Sequence, residues 1–171
     1  MDRNKNGKLD TGDKYMTGKS PSPDFYYGLY LKYSYKNFDF GFNGHGSVGN
    51  WVYNNVRAGN STTNQNFSNI NLSNYLRVVK ETGFTGANVN EQYASDYFLE
   101  NASFFRLDDI NFGYTFGKLG HWANANLRLG FTVQNVFVIT GYSGLDPEIG
   151  GIDNSMWPRP RTFSLRANLN F

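Results

Sequence analysis

The feature that most constrains the fold of this chain is a strict two-residue alternation of apolar and polar side chains. In residues 25–35 the odd positions run from Phe25 through Leu29 to Tyr35, whereas the even positions include Lys32. Because successive side chains of a β-strand point to opposite faces, the pattern predicts a strand with one apolar and one polar face. Aromatic residues lie at both ends of the apolar set and leucines in its middle, which is typical of a strand that crosses a bilayer.

Three later segments repeat this alternation, and in each of them any charged residue lies on the polar face. Their apolar sets are Phe38, Phe40 and Phe42; Leu127, Leu129, Phe131 and Val133; and Phe163, Leu165, Ala167, Leu169 and Phe171. A slip by one residue would turn Lys32, Arg128 and Arg166 into lipid, at a cost of about 2–4 kcal/mol each near the bilayer midplane. The register of these strands is therefore strongly specified.

The segment at residues 103–116 follows the alternation less regularly. Its apolar set at Ile110 to Phe116 is regular, but Arg106 and Asp108 have the same parity. Either those two residues stand above the membrane rim, or a bulge near Asp108 reverses the phase and turns Phe105 and Leu107 outward. The sequence leaves both alternatives open.

The links between these segments differ greatly in length. We predict strands at residues 24–35, 37–48, 103–116, 125–138 and 161–171, and extracellular loops at 1–23, 49–102 and 140–159. Short turns that alternate with long loops are typical of antiparallel transmembrane β-barrels, in which the short turns are periplasmic. The alternative is a soluble β-sandwich that binds carbohydrate and is braced by calcium, because an antiparallel sandwich also shows one apolar and one polar face.

Five strands are too few to close a membrane barrel, because the smallest such barrels have about eight. An open sheet in lipid would leave unpaired backbone groups that cost several kcal/mol each. We therefore expect residues 1–171 to be the carboxy-terminal part of an all-β transmembrane barrel whose other strands lie upstream of residue 1.

Composition and motifs exclude several other functions. The net charge of +2 is spread along the chain, so no basic stripe indicates nucleic-acid binding. The chain has no Cys and therefore no thiolate metal site or cysteine nucleophile. Residues 44–49 match the dinucleotide pattern Gly-x-Gly-x-x-Gly, but neither a helix pattern nor an acidic ribose ligand follows. We predict no enzymatic activity.

The turn at residues 2–13 has the residue spacing of a calcium loop. Its candidate ligand positions are Asp2, Asn4, Asn6, Lys8, Asp10 and Asp13. Gly7 lies at the position that needs a sharp turn, whereas position 12 of the loop is Asp rather than the usual bidentate Glu. The alternative is a turn held by Asx hydrogen bonds without a metal ion. Calcium would brace a loop here.

Four aromatic residues in the long predicted loops are candidates for contact with a substrate or partner. They are Trp51, Tyr53, Tyr142 and Trp157. Aromatic rings at such positions either stack on ligands or pack the loops together. The sequence does not choose between these roles.

A series of separated motifs follows a fixed order along the chain. In chain order they are the turn at 2–13, residues 18–23, Asn37-Phe38-Asp39, residues 49–54, residues 103–114, residues 134–137, residues 141–148, and residues 160–163 before Phe171. In this order they resemble the end of the SusC/RagA-like TonB-dependent outer-membrane transporters. Each motif alone is weak, but their common order makes the resemblance specific, and it covers the whole chain.

The resemblance implies the place of this chain in a larger transporter. That transporter would be a barrel of about 22 strands around a plug, located in the cell outer membrane and in contact with its lipid. It would import oligosaccharides or peptides with the TonB complex and a SusD-like surface lipoprotein. Phe171 would act as the terminal signal that the barrel-assembly machinery reads.

Overall fold

The computed structural model describes residues 3–7, 11–61, 77–82, 94–117, 126–154 and 157–170. In chain order the strands are β1 (Phe25–Tyr35), β2 (Phe38–Val48), β3 (Trp51–Asn54), β4 (Leu99–Asn101), β5 (Phe104–Phe116), β6 (Asn126–Thr140), β7 (Ile152–Asp153) and β8 (Thr162–Asn170). The helices are α1 (Asn55–Gly59) and α2 (Arg77–Thr82), with 3₁₀ turns at Thr11–Asp13 and Asp96–Phe98. The ranges predicted as long loops thus contain three short strands and both helices.

The chain forms two compact units. The sheet unit comprises Pro23–Gly49, Ser103–Gly141 and Pro158–Phe171, and the loop unit comprises Met1–Ser22, Asn50–Ala102 and Tyr142–Trp157. No described helix is long and apolar enough to cross a membrane.

The sheet unit is one five-stranded antiparallel sheet with the order β1-β2-β5-β6-β8. Its hairpin between β1 and β2 pairs Phe25 with Val48 and Tyr35 with Phe38, so the intervening turn is only two residues long. Lys36 in that turn adopts a φ of +52°, a left-handed conformation that tight hairpin turns use. Strand β6 continues to Thr140, two residues past the predicted end.

A bulge in β5 settles the phase of the irregular segment. Gly44 pairs with Leu107 and Asn43 pairs with Asp109, so Asp108 is the extra residue in β5. The bulge reverses the alternation and places Phe105 and Leu107 on the apolar face. The bulge alternative is therefore the correct one, and the rim alternative is not needed.

Beyond the bulge, Arg106 lies on the polar face opposite His45. The Arg106 side chain is buried, and its Nη1 donates to Oδ1 of Asn135 at 2.8 Å. Asn135 has a φ of +52° and lies at a matching irregularity in β6. Its amide Nδ2 donates to the carbonyl of Arg159 at 2.8 Å. These hydrogen bonds thus connect β5 and β6 to the segment that precedes β8.

The apolar face of the sheet is exposed. Leu165 and Phe163 are 80% and 64% exposed. Rings on this face contact each other across strands, as in Phe40–Phe112 with centroids 5.0 Å apart and Phe131–Phe163 at 6.4 Å. A soluble sandwich would bury such a face against a second sheet, and the sheet unit has only one. The face is therefore of the kind that meets lipid.

The polar face holds a paired charge in the middle of the sheet. Arg128 Nη2 in β6 lies 2.8 Å from Asp39 Oδ2 in β2, and the pair reaches across β5 above Gly113. A Cβ at Gly113 would lie 2.5 Å from Asp39 Oδ1 and 2.6 Å from Arg128 Nη2. The glycine therefore leaves room for the ion pair, and no unusual backbone conformation is involved.

The loop unit is built around a three-stranded sheet with the order β4-β3-β7, in which β3 pairs antiparallel with β4 and parallel with β7. Its small core contains Val52, Ala102 and Tyr142, all buried. Phe98 and Ala58 are also fully buried. This unit thus has a small buried apolar core, whereas much of the apolar face of the sheet unit is exposed.

Candidate functional site

The candidate site is a polar cleft in the loop unit that begins where β3 passes directly into α1. Asn54 ends β3 and caps α1, because its Oδ1 accepts a hydrogen bond from the Arg57 N–H at 2.9 Å. Asn is a preferred residue at this position since it satisfies a backbone donor that the helix leaves free. The cap fixes where the Arg57 side chain leaves the helix.

The carboxylate of Glu100 joins three parts of the cleft. Its Oε1 accepts from Arg57 Nη1 at 3.1 Å, Asn54 Nδ2 at 3.3 Å and Ser143 Oγ at 2.8 Å. Its Oε2 accepts from the Ser143 N–H at 2.8 Å. Because charge-assisted hydrogen bonds are stronger than neutral ones, this carboxylate holds β3, α1 and the segment after β6 in one arrangement.

A second polar pair adjoins the cleft. The Tyr142 hydroxyl donates to Asp153 Oδ2 at 2.7 Å, and both residues are buried. Burial raises the pKa of Tyr142 well above its usual range, and the hydrogen bond to Asp153 raises it further. Tyr142 therefore stays protonated and acts as a hydrogen-bond donor.

The four aromatic candidates do not form one site. Tyr142 is 5% exposed and packs the core, whereas Trp157 is 87% exposed. The ring of Trp51 contacts Lys19, whose Nζ lies 3.1 Å from the ring centroid. Tyr53 makes an edge contact with Phe98. The rings were predicted either to stack on a ligand or to pack the loops together, and Tyr142 packs the loops.

The cleft itself has a volume of about 410 Å³. It is lined by Asn54, Val56, Arg57, Asn60, Val78, Glu81, Ser143, Gly144, Leu145 and Asp153. None of these was a sequence candidate, because they come from four separate stretches with no motif spacing. Asn54 and residues 143–145 lie within two of the separated motifs of the sequence, but those motifs carried the family resemblance and predicted no binding site.

The predicted calcium turn is only partly visible. Asp2, Lys8 and Asp10 lie outside the described residues. Asp13 Oδ1 accepts the backbone N–H groups of Arg3 at 2.6 Å and Asn4 at 3.2 Å. Within the described part of the chain, no group of three His, Asp or Glu side chains could hold a metal ion. Calcium binding here stays a prediction, as does the role of Phe171, which also lies outside the described residues.

Three curated proteins match the chain along nearly all of its length. It is 42% identical to the TonB-dependent receptor SusC of Bacteroides thetaiotaomicron over 100% of the chain and 17% of that receptor. It is 28% identical to TonB-dependent receptor P3 of Formosa agariphila, over 97% of the chain and 18% of that receptor. It is 29% identical to receptor P26 of the same organism, over 99% of the chain and 19% of that receptor.

Among solved structures, the chain is similar to the RagAB peptide transporter, with a TM-score of 0.67 and 22% identity over 92% of the chain and 19% of that protein. The RagAB peptide importer in its closed-closed state gives a TM-score of 0.65 at 21% identity over 97% of the chain and 20% of that protein. No protein-family model matches. The chain thus spans less than a fifth of the length of SusC and of receptor P3.

Proposed function

We propose that this chain forms part of the barrel wall and of the outer loops of a nutrient transporter, because it is a SusC/RagA-like part of an outer-membrane TonB-dependent receptor. The substrates proposed are oligosaccharides or peptides, imported together with a SusD-like lipoprotein. The TonB complex would supply the energy, and the barrel-assembly machinery would insert the protein. No covalent chemistry is assigned to the residues described here.

The observation that carries this proposal is the division of the sheet into two faces of opposite character. The apolar face exposes Leu165 and Phe163 and contains no charged residue in its regular strands. The opposite face carries Arg166 in β8 and the Asp39–Arg128 ion pair. A wall between lipid and an aqueous lumen needs both faces, since lipid-facing and lumen-facing residues alternate along each strand.

The loop unit would contribute to the external mouth. It is joined to the sheet unit at the long connections after β2 and β6, and such long connections are extracellular in outer-membrane barrels. Its polar cleft is the part of this chain best suited to touch an imported molecule.

A chimaera tests the proposal. We would replace the segment of SusC that matches residues 1–171 with this chain and express the chimaera in the native host of SusC. We expect it to be recovered in the outer membrane, to show heat-modifiable migration on gels, and to copurify with the surface lipoprotein of that receptor. A control chimaera with Leu165→Asp on the lipid face should fail to assemble.

The outcome that would contradict the proposal is a chimaera that accumulates in the periplasm while the unmodified receptor assembles normally. Assembly without uptake would retain the wall function and reject the contribution to transport.

A further inference from the structure

We propose that the cleft between α1, α2 and residues 143–145 binds a neutral oligosaccharide. The inference rests on the proposed transport function and names the substrate class that this part of the chain recognises. The volume of the cleft, about 410 Å³, falls in the range of roughly 300–1,000 Å³ that is usual for small-ligand sites.

The charges around the cleft disfavour an anionic ligand. Two carboxylates, Glu81 and Asp153, line it together with the guanidinium of Arg57. Arg57 already pairs with Glu100 through Nη1 at 3.1 Å and with Glu81 through Nη2 at 3.5 Å. A uronate, a sulfated sugar or a peptide carboxy-terminus would therefore meet more negative than positive charge.

The hydrogen-bonding groups of the cleft suit hydroxyl groups. Glu81 only accepts hydrogen bonds, Arg57 only donates them, and Asn60 does both. A hydroxyl group also donates and accepts at a single atom, so the neighbouring hydroxyls of a sugar can match this mixture. Extended peptides more often pair their backbones with a strand edge, whereas the walls here are two helices and a loop with single residues from β3 and β7.

The aliphatic lining supplies the other half of sugar recognition. Val56, Val78 and Leu145 line the same cleft, and Leu145 is 51% exposed. Sugar rings present C–H faces as well as hydroxyl edges, and apolar lining with a few placed polar groups is the usual composition of a ligand site.

The polar groups are held in place within the protein. Glu100 fixes Arg57 and Ser143, and the Asn54 cap fixes the start of α1. Such preorganisation lowers the conformational entropy that a ligand must remove on binding. The α2 wall is attached through the Arg57–Glu81 pair and through Thr82 Oγ1, 3.4 Å from the Ser61 carbonyl.

Titration calorimetry on the full-length receptor that contains this chain, purified from outer membranes, tests the site. The probes are the neutral hexasaccharides of β-glucose, xylose and mannose, with trigalacturonic acid and hexa-alanine as comparison ligands. Val78→Trp would fill the cleft, and Val79→Trp is its matched control because Val79 lies on the same helix outside the lining. Glu81→Gln removes an acceptor, and Arg77→Gln breaks the Arg77–Glu81 pair without changing the lining.

We expect at least one neutral hexasaccharide to bind and Val78→Trp to weaken that binding by about tenfold or more, which is about 1.4 kcal/mol. Val79→Trp should stay within about twofold of the wild type, because it leaves the cleft open. Glu81→Gln should weaken binding more than Arg77→Gln does.

Three results would overturn the assignment: no neutral hexasaccharide binds, Val78→Trp binds as the wild type does, or Val78→Trp abolishes binding of the uronate or the peptide instead. Outer-membrane location and energy-dependent uptake, measured on the same cells, separate this failure from failure of the transport function. A receptor that is correctly located and imports a nutrient, yet gives one of these results, rejects the cleft alone.

Discussion

The sheet unit and the loop unit place similar apolar residues in opposite surroundings, exposed in the sheet and buried in the loop core. Leu165 in the sheet is 80% exposed, whereas Val52 in the loop unit is fully buried. The sheet unit pairs its five strands in ladders that are interrupted at the bulge in β5, and it leaves its apolar face for lipid. The loop unit has short strands and a small core, and it depends on side-chain hydrogen bonds centred on Glu100. One chain thus contains a part suited to a bilayer and a part suited to water.

The largest expected effect tests the lipid side of this comparison. Leu165→Arg places a charge on the apolar face and should destabilise the assembled receptor by about 2–4 kcal/mol if the site lies near the midplane. Ser164→Arg is the matched control, since Ser164 neighbours Leu165 on the polar face. Urea unfolding of the receptor in liposomes measures both. Equal losses in the two variants would mean that the faces are not distinct.

Glu100→Ala should act on the loop unit alone. It removes the charged acceptor of Arg57, which is part-buried, and of Ser143, which is exposed. Hydrogen bonds to a charged group contribute about 1.5–3 kcal/mol. Hydrogen exchange followed by mass spectrometry should show lost protection in β3 and α1 with unchanged protection in β6. The control is Glu148→Ala, which truncates an exposed carboxylate. Loss of protection throughout the sheet would show that the units are not independently stabilised.

Gly113→Ala should disturb the polar face of the sheet. The added Cβ would lie 2.5 Å from Asp39 Oδ1, so the two side chains must shift. Weakening of this part-exposed ion pair should cost up to about 1 kcal/mol. Gly130→Ala is the control because its nearest neighbour would be 3.8 Å away. Thermal melting of the receptor in detergent compares the two variants, and an unchanged melting temperature in Gly113→Ala would reject the close approach.

A similarly small effect is expected for Tyr142. Tyr142→Phe removes the hydrogen bond to Asp153 and should lower the stability of the loop unit by about 1 kcal/mol near neutral pH. The folded-state pKa of Tyr142 is raised, so its contribution is present in full below the unfolded pKa of about 10 and is lost as the pH rises through the higher folded value.

Hydrogen exchange in the loop unit as a function of pH measures this linkage. The wild type should lose protection above about pH 10, and Tyr142→Phe should remove that part of the loss. Tyr30→Phe, an exposed tyrosine of β1, is the control. The same alkaline loss in the wild type and Tyr142→Phe would contradict the assignment.

The strands of the sheet could be predicted because a two-residue period leaves only one register that keeps Lys32, Arg128 and Arg166 out of lipid. The bulge was predicted only as one of two alternatives, since the pattern around Asp108 fits either a phase reversal or a polar rim. Its position became clear from the pairing of Gly44 with Leu107, which is information about a different strand.

The cleft could not be predicted for a related reason. The contacts of Glu100 form beside a small sheet of β3, β4 and β7, and those strands have two to four residues each. Glu81 is added from α2, a helix of six residues. Elements of that length carry no readable periodicity. The aromatic candidates were chosen because large rings in loops are conspicuous, and Tyr142 shows that conspicuous rings also serve as core.

The single extra residue at Asp108 has a genetic consequence. An in-frame loss of that one codon would remove the bulge and still leave Phe105, Leu107, Ile110 and Phe112 on the apolar face, because the residues on its two sides already pair in phase with β2. Loss of one codon inside the regular stretch from residue 110 to residue 116 would instead turn neighbouring apolar residues to opposite faces. Changes of chain length in this gene should therefore collect in the loop ranges and at the bulge, and spare that regular stretch.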